Sequence, residues 1–162
     1  MKSIKTSKLV VIMLTMVLMV PAFGSIVTKA ANDLDRAWSF SLQANSGVYS
    51  LSDFRIKEDD SSIYVKTDAM SGTLSSVYFK AYGARDIYGT NYADCTYGGR
   101  NYYVSYSGTR YVMWNTVYES KDANGNRLYN AAALAGRSKV GTGTASGYWS
   151  PDTTGIYSHM PY

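Results

Sequence analysis

The amino-acid sequence predicts an all-β protein, a single antiparallel β-sandwich of about seven or eight short strands. Several segments alternate apolar and polar residues with the period of two that places successive side chains on opposite faces of a sheet. The chain contains 16 tyrosines and 14 glycines among many serines and threonines, a composition that favours strands and turns. Beyond residue 30, no long stretch keeps the residue spacing of an amphipathic helix. Together these observations predict the fold class.

The strands are predicted in chain order from this alternation. The clearest covers residues 36–44, where Trp38, Phe40 and Leu42 face one way and polar residues face the other. The other predicted strands cover residues 54–57, 63–68, 75–82, 101–106, 110–119 and 128–135, with a last one around 148–149. A jelly roll or a closed barrel would produce the same pattern.

Turn signals separate these segments. Residues 70–73 are predicted to join strands 63–68 and 75–82 into a hairpin, and Asn124-Gly125 favours a type I′ turn. Residues 83–99 are predicted to form a long loop with one edge strand. Residues 136–147, rich in Gly, Ser and Thr, are predicted to be flexible.

The N-terminal segment has the layout of a secretory signal peptide. Three lysines within the first eight residues precede the uncharged apolar run 9–20, and Pro21 ends that run. Cleavage is expected before Ala31, with a site at Gly24 or Ser25 as an alternative. An uncleaved membrane anchor is the competing interpretation. The predicted organisation is a signal peptide at 1–30 and a secreted β-domain at 31–162.

Removal of this leader changes the charge of the protein. Four of the 16 basic residues lie in 1–30, which leaves 16 − 4 = 12 against 12 acidic residues. The predicted mature domain is therefore neutral, and we expect no nucleic-acid partner. The single cysteine, Cys95, cannot form a disulfide within the chain, so the fold must depend on its core.

Residues that could support catalysis are sparse. Cys95 and His159 are the only thiol and imidazole, and Glu58 and Glu119 are the only glutamates available to a two-carboxylate mechanism. The run from Asp122 begins like a calcium loop but lacks the glycine and acid at the required later positions. No glycine-rich phosphate loop is present. We therefore predict no catalytic residues, no metal, no nucleotide and no cofactor.

Tyrosine is the residue type with potential for recognition, because it combines a flat apolar ring with a hydroxyl group. Alternation places Tyr64, Tyr78 and Tyr82 on the same side as Lys66 and Lys80. We predict that these tyrosines line a solvent-facing binding surface for a cell-wall glycan, a membrane or a protein. A second buried sheet, or ordinary cross-strand pairing, would give the same pattern.

Three short motifs carry a resemblance to a known family. They are WSFSL at 38–42, VYFKAYG at 77–83 and ASGYWSPD at 145–152. With them the chain resembles the small exported proteins of Gram-positive bacteria that form the domain of unknown function 2712 family. The resemblance implies secretion and no assigned activity. In its size, leader and aromatic ending the chain is also faintly similar to lactococcin-type bacteriocins, although it is longer and lacks their histidine-rich middle.

The predicted function is that of a secreted, non-enzymatic β-sandwich that binds a cell-surface or extracellular partner, either free or held non-covalently at the surface. The first alternative is a bacteriocin-like or membrane-active toxin, in which residues 131–147 rearrange into an inserted hairpin. The second alternative is a secreted hydrolase.

Overall fold

The computed structural model describes residues 34–162 and is all-β, apart from one short 3₁₀ turn. The strands are β1 (Arg36–Leu42), β2 (Ser50–Leu51), β3 (Arg55–Ile56), β4 (Ile63–Met70), β5 (Ser76–Ala84), β6 (Ala93–Asp94), β7 (Tyr102–Val104), β8 (Thr109–Met113), β9 (Ala131–Val140), β10 (Gly143–Ser150) and β11 (Ser158–His159). Four of these eleven strands have only two residues. Seven longer strands remain in the described chain, which confirms the predicted fold class.

The strands form two sheets that pack as a sandwich. The first sheet has the order β1-β10-β4-β8-β11. In the second sheet the order is β2-β9-β5-β6, with β3 also paired to β9 and β7 to β5. All pairs are antiparallel except β11 with β8.

The two sheets share a bent ladder, because two connections pass from one sheet to the other side by side. The chain crosses between β4 and β5 and again between β9 and β10. At this corner Ser71 N donates to Thr144 O at 2.9 Å, and Ser75 N donates to Val140 O at 3.0 Å. Gly141 has φ +89°, and a Cβ there would collide with the carbonyl oxygen of Thr73. The corner therefore depends on a residue without a side chain.

This topology corrects the predicted hairpin of residues 63–68 and 75–82, because β4 and β5 lie in different sheets. Residues 136–147 were expected to be flexible, but most of them belong to β9 and β10. The predicted strand 110–119 ends at Met113, after which Asn115 forms an isolated bridge with Thr96. Alternation indicates which side of a strand is apolar, but it does not indicate which strand is the neighbour.

The core lies between the sheets. The Trp38 ring meets the Phe79 ring edge-on at 5.3 Å, which joins β1 to β5 across the sandwich. Residues 131–135 are wholly buried, and Gly136 lies against the ring of Phe40. The small side chains of β9 thus allow close approach of the bulky rings of β1.

Two other predictions concern the turn at Asn124-Gly125 and the N-terminal segment. Asp122–Asn126 does form a turn, in which Asp122 N donates to Asn126 O at 2.8 Å. Only Gly125 of the Asn124-Gly125 pair has positive φ, so the turn is not type I′. The predicted signal peptide lies outside the described residues. Among residues 34–162, no helix is long and apolar enough to cross a membrane.

Candidate ligand-binding cleft

The three tyrosines predicted to form one surface lie on two different sheets. Tyr64 is on β4 of the first sheet, is only 5% exposed and packs against Tyr157 at 4.9 Å. Tyr78 and Tyr82 both lie on β5 of the second sheet, but Tyr82 contacts the ring of Tyr92. Tyr78 and Tyr82 thus share the outer face of β5 with Lys80, as predicted, but Tyr64 is in the other sheet and the segment after β10 covers it.

Tyr78 belongs to a surface on the outside of the second sheet that we call the cation–tyrosine face. It consists of Tyr49, Tyr78 and Tyr103 with Lys80, Arg137 and Lys139. Tyr78 pairs with Arg137 on β9 and with Tyr103 on β7, so a row of side chains crosses three strands. Lys139 Nζ lies 3.1 Å from the centre of the Tyr103 ring, and the Arg137 guanidinium lies 5.0 Å from that of Tyr49. Cations therefore already cover these rings.

A concave site lies beside this face, at the edge of the first sheet. It is a cleft of about 500 Å³ lined by Asp60, Ser62, Tyr97, Arg100, Trp114, Asn115, Glu119 and Tyr162. We refer to it as the aromatic cleft. Its volume is in the range of small-molecule binding pockets.

Local backbone structure positions the two central rings of the aromatic cleft. Tyr97 begins the 3₁₀ turn Tyr97–Gly99, in which Gly98 and Gly99 have positive φ. Tyr97 N donates to Trp114 O at 3.2 Å, and this bond ties the turn to the end of β8. The rings of Tyr97 and Trp114 then lie 6.2 Å apart at 65°.

These aromatic side chains remain accessible to solvent. Trp114 is 37% exposed, Tyr97 is 51% exposed and Tyr162 is 63% exposed. The Arg100 guanidinium lies 3.9 Å from the centre of the Tyr162 ring and 5.8 Å from that of Trp114. His159 stacks on Trp114 at 4.0 Å and supports it. The cleft thus presents exposed aromatic rings whose positions are supported by contacts with Arg100 and His159.

Polar groups accompany the rings. Asn115 is 7% exposed, and its side chain is held from two sides. Its Nδ2 donates to Ser61 O at 3.4 Å, and its Oδ1 accepts from Val117 N at 3.2 Å. Asp60 and Glu119 add two exposed carboxylates to the lining, opposite in charge to Arg100. A fixed amide and charged groups at one aromatic site suit a polar ligand with apolar faces.

Of the residues considered for catalysis, Glu119 lines the aromatic cleft, whereas Cys95 and His159 do not form a catalytic pair there. Cys95 is buried, and burial raises the pKa of its thiol to about 11, so it is a poor nucleophile near neutral pH. His159 is engaged with Trp114. Within the described part of the chain, no group of three or more His, Cys, Asp or Glu side chains could hold a metal ion.

Sequence reasoning missed the aromatic cleft because its residues come from four distant parts of the chain, near positions 60, 97, 114 and 162. The available signal was the cluster of Tyr and Gly around residues 97–99, together with Trp114 near the end of an alternating segment. The small-residue run 131–147, for which membrane insertion was the alternative, contributes the strand β9, half of the corner and the beginning of β10.

Comparison with known proteins gives one family. No curated protein and no solved structure gives a significant match to the chain. The sequence profile of the family described as protein of unknown function (DUF2712) matches residues 26–153, which is most of the chain. The chain therefore belongs to the DUF2712 family.

Proposed function

We propose that this protein is a secreted, non-enzymatic binding module that holds a cell-wall glycan in the aromatic cleft. The observation that carries the proposal is the pair of accessible rings, Tyr97 and Trp114, set 6.2 Å apart at one concave site. Sugar rings have apolar C–H faces that pack on aromatic rings and hydroxyl groups that need polar partners. The cleft offers both kinds of contact.

The polar lining favours a glycan over a purely apolar ligand. Asn115 can donate and accept hydrogen bonds, and its amide is already oriented by Ser61 and Val117. Asp60, Glu119 and Arg100 can bond to hydroxyl and amide groups at the rim. An apolar lipid chain would leave these groups without partners.

Export is part of the proposal and has its own test. Residues 1–30 carry the signal-peptide pattern, so we expect the protein in the culture medium or loosely held at the cell surface, with Ala31 as its first residue. N-terminal sequencing of the exported protein checks this. A full-length chain that stays in the membrane fraction would contradict it.

The binding test compares a ring in the cleft with a ring elsewhere. The mature protein is sedimented with insoluble peptidoglycan and titrated with chitin oligosaccharides. Trp114→Ala is expected to weaken binding about tenfold or more, since it removes ring contact worth about 1.4 kcal/mol or more. Tyr88→Ala is the matched control, because Tyr88 is 88% exposed and does not line the cleft.

Three outcomes would contradict glycan binding at this site. They are no retention of the wild-type protein on either glycan, equal loss in both variants, and retention only on phospholipid vesicles. The last outcome would favour the membrane-active alternative. A circular dichroism spectrum of Trp114→Ala that matches the wild type confirms that the variant is folded.

Glycan hydrolysis is a second candidate, because Asp60 and Glu119 both line the cleft. Glycosidases use two carboxylates on either side of the scissile bond. Release of reducing sugar from peptidoglycan, abolished in Glu119→Gln, would establish it. Binding by the wild-type protein without product release would leave the non-enzymatic proposal standing.

A further inference from the structure

A buried lysine and a buried aspartate meet at the boundary between the two sheets. Lys57 follows β3, which pairs in the second sheet, and Asp152 follows β10 of the first sheet. The Nζ of Lys57 lies 2.6 Å from Oδ1 of Asp152, and both side chains are 0% exposed. Two opposite charges without solvent are expensive to bury, even when they are paired.

The surrounding hydrogen bonds suit a neutral amide as well as an ion pair. Lys57 Nζ donates to Ser61 O at 2.6 Å, and Glu58 N donates to Oδ2 of Asp152 at 3.0 Å. An amide joining the two side chains would have one N–H group and one carbonyl oxygen. Ser61 O and Glu58 N are already in place as their partners.

Electrostatics also act on the amine. Burial lowers the pKa of Lys57, while the hydrogen bond to Asp152 opposes this shift. A lowered pKa increases the fraction of neutral amine, the nucleophilic form. The backbone N–H of Glu58 points at Oδ2, where negative charge would develop during attack on the carboxyl carbon.

We propose that Lys57 and Asp152 condense into an intramolecular isopeptide bond that covalently joins the two sheets of the sandwich. A bond forms between Nζ and Cγ, and the bond between Cγ and Oδ1 breaks. Starting from ammonium and carboxylate, Oδ1 leaves as water with two of the three ammonium protons, and the third stays on the amide nitrogen. Charge and atoms balance without an oxidant or a cofactor.

Asp59 is placed to carry the proton. Its Oδ1 is 4.0 Å from Lys57 Nζ, and its backbone N–H donates to Oδ1 of Asp152, the leaving oxygen, at 3.5 Å. The Asp59 carboxylate is itself oriented, because Ser61 N donates to it at 2.8 Å. We assign it the transfer of a proton from the amine to the departing water, over a distance that one bridging water molecule would span.

The molecule contains matched pairs that should not react. Lys66 Nζ and Asp68 Oδ1 are also 2.6 Å apart, but their side chains are 26% and 35% exposed. Lys80 and Asp94 form another partly exposed pair. Water stabilises both ions there and competes with condensation, so these pairs provide internal controls.

The test is mass spectrometry of the exported, folded protein. The intact mass should be lower than the sequence mass by one water. A linked lysine resists trypsin, so digestion should give peptide 56–66 joined to peptide 140–162. Trypsin should cleave after Lys66 and Lys80, and peptides 67–80 and 86–100, which contain Asp68 and Asp94, should be uncrosslinked. A full intact mass, or free peptide 140–162 after prolonged incubation of the folded protein, would overturn the proposal.

One alternative product has the same mass, a succinimide at Asp152, and the digest distinguishes it because no linked peptide would appear. That result would also overturn the proposal. Lys57→Arg retains the charge and should restore the full mass, with circular dichroism as the check of folding. Asp59→Asn should slow the appearance of the linked form about tenfold in a time course of newly synthesised chains. An unchanged rate would remove Asp59 as the proton carrier.

Discussion

The cation–tyrosine face and the aromatic cleft both combine aromatic rings with cations. The rings of the face are partly buried, whereas those of the cleft are exposed. On the face, each tyrosine ring already has a lysine or arginine beside it, as with Lys139 on Tyr103. In the cleft, the single guanidinium of Arg100 lies near all three rings, those of Trp114, Tyr97 and Tyr162. These side chains remain 37–63% exposed. Tyrosine content alone therefore does not locate a binding site. What matters is how much of each ring remains accessible to solvent, which is more in the cleft than on the face.

The largest effect that separates the two regions is expected on stability. Tyr78→Ala removes a ring that lies 5.2 Å from the Arg137 guanidinium and pairs across strands with Tyr103. The free energy of unfolding should fall by about 1–2 kcal/mol, while glycan binding stays unchanged. Urea denaturation followed by tryptophan fluorescence measures the first quantity.

Tyr88→Ala is again the control, and it should change stability by less than about 0.5 kcal/mol. The comparison fails if Tyr78→Ala retains full stability but loses glycan binding. In that case the cation–tyrosine face would be the binding surface after all.

The sequence supported the prediction of the strands but not of their neighbours. Alternation identified β1 because Trp38, Phe40 and Leu42 all face the core. It also predicted correctly that Tyr64 lies on the face of β4 that points away from the core. Tyr64 is nevertheless buried, because Tyr157 covers it. A period of two separates the faces of a strand and carries no information about what packs on the outer one.

The cleft was beyond sequence reasoning for a related physical reason. Tyr97 and Trp114 meet through a backbone bond between segments that are not sequential strands. Tyr162 joins them because β11 pairs in parallel with β8 and brings the C-terminus to this edge. Such long-range pairing depends on the whole topology, so local patterns could indicate aromatic content but not its assembly.

Arg100 sharpens the comparison because it contacts both regions. It lines the aromatic cleft and also a neighbouring depression with Tyr103 and Lys139. Arg100→Gln should weaken glycan binding about threefold to tenfold and lower the free energy of unfolding by less than about 1 kcal/mol. Calorimetric titration with chitin oligosaccharide and urea denaturation measure the two effects.

Arg110→Gln is the matched control on the exposed surface of β8, and it should alter neither quantity. If Arg100→Gln destabilises the fold by several kcal/mol and leaves glycan binding intact, then Arg100 stabilises the fold and takes no part in binding.

The smallest expected effect concerns the pH dependence of the cation–tyrosine face. Burial alone would raise the pKa of Asp94, but hydrogen bonds from Lys80 and Thr96 bring it below its usual value. A carboxyl whose pKa is lower in the folded state stabilises the fold above its unfolded pKa of about 3.9, and this contribution is lost as the pH falls through the folded value. Because the pair is partly exposed, the contribution should be a few tenths of a kcal/mol. Between about pH 5 and pH 3, Asp94→Asn should therefore lose slightly less stability than the wild type, as measured by urea denaturation at each pH.

Lys80→Gln should remove much of the same pH-dependent loss of stability, because Lys80 provides the first of the hydrogen bonds that lower the pKa of Asp94. If Lys80→Gln retained the full pH dependence, the hydrogen bonds from Thr96 would be the main cause of the lowered pKa of Asp94. Lys80 would then act only through its contact with the ring of Tyr49.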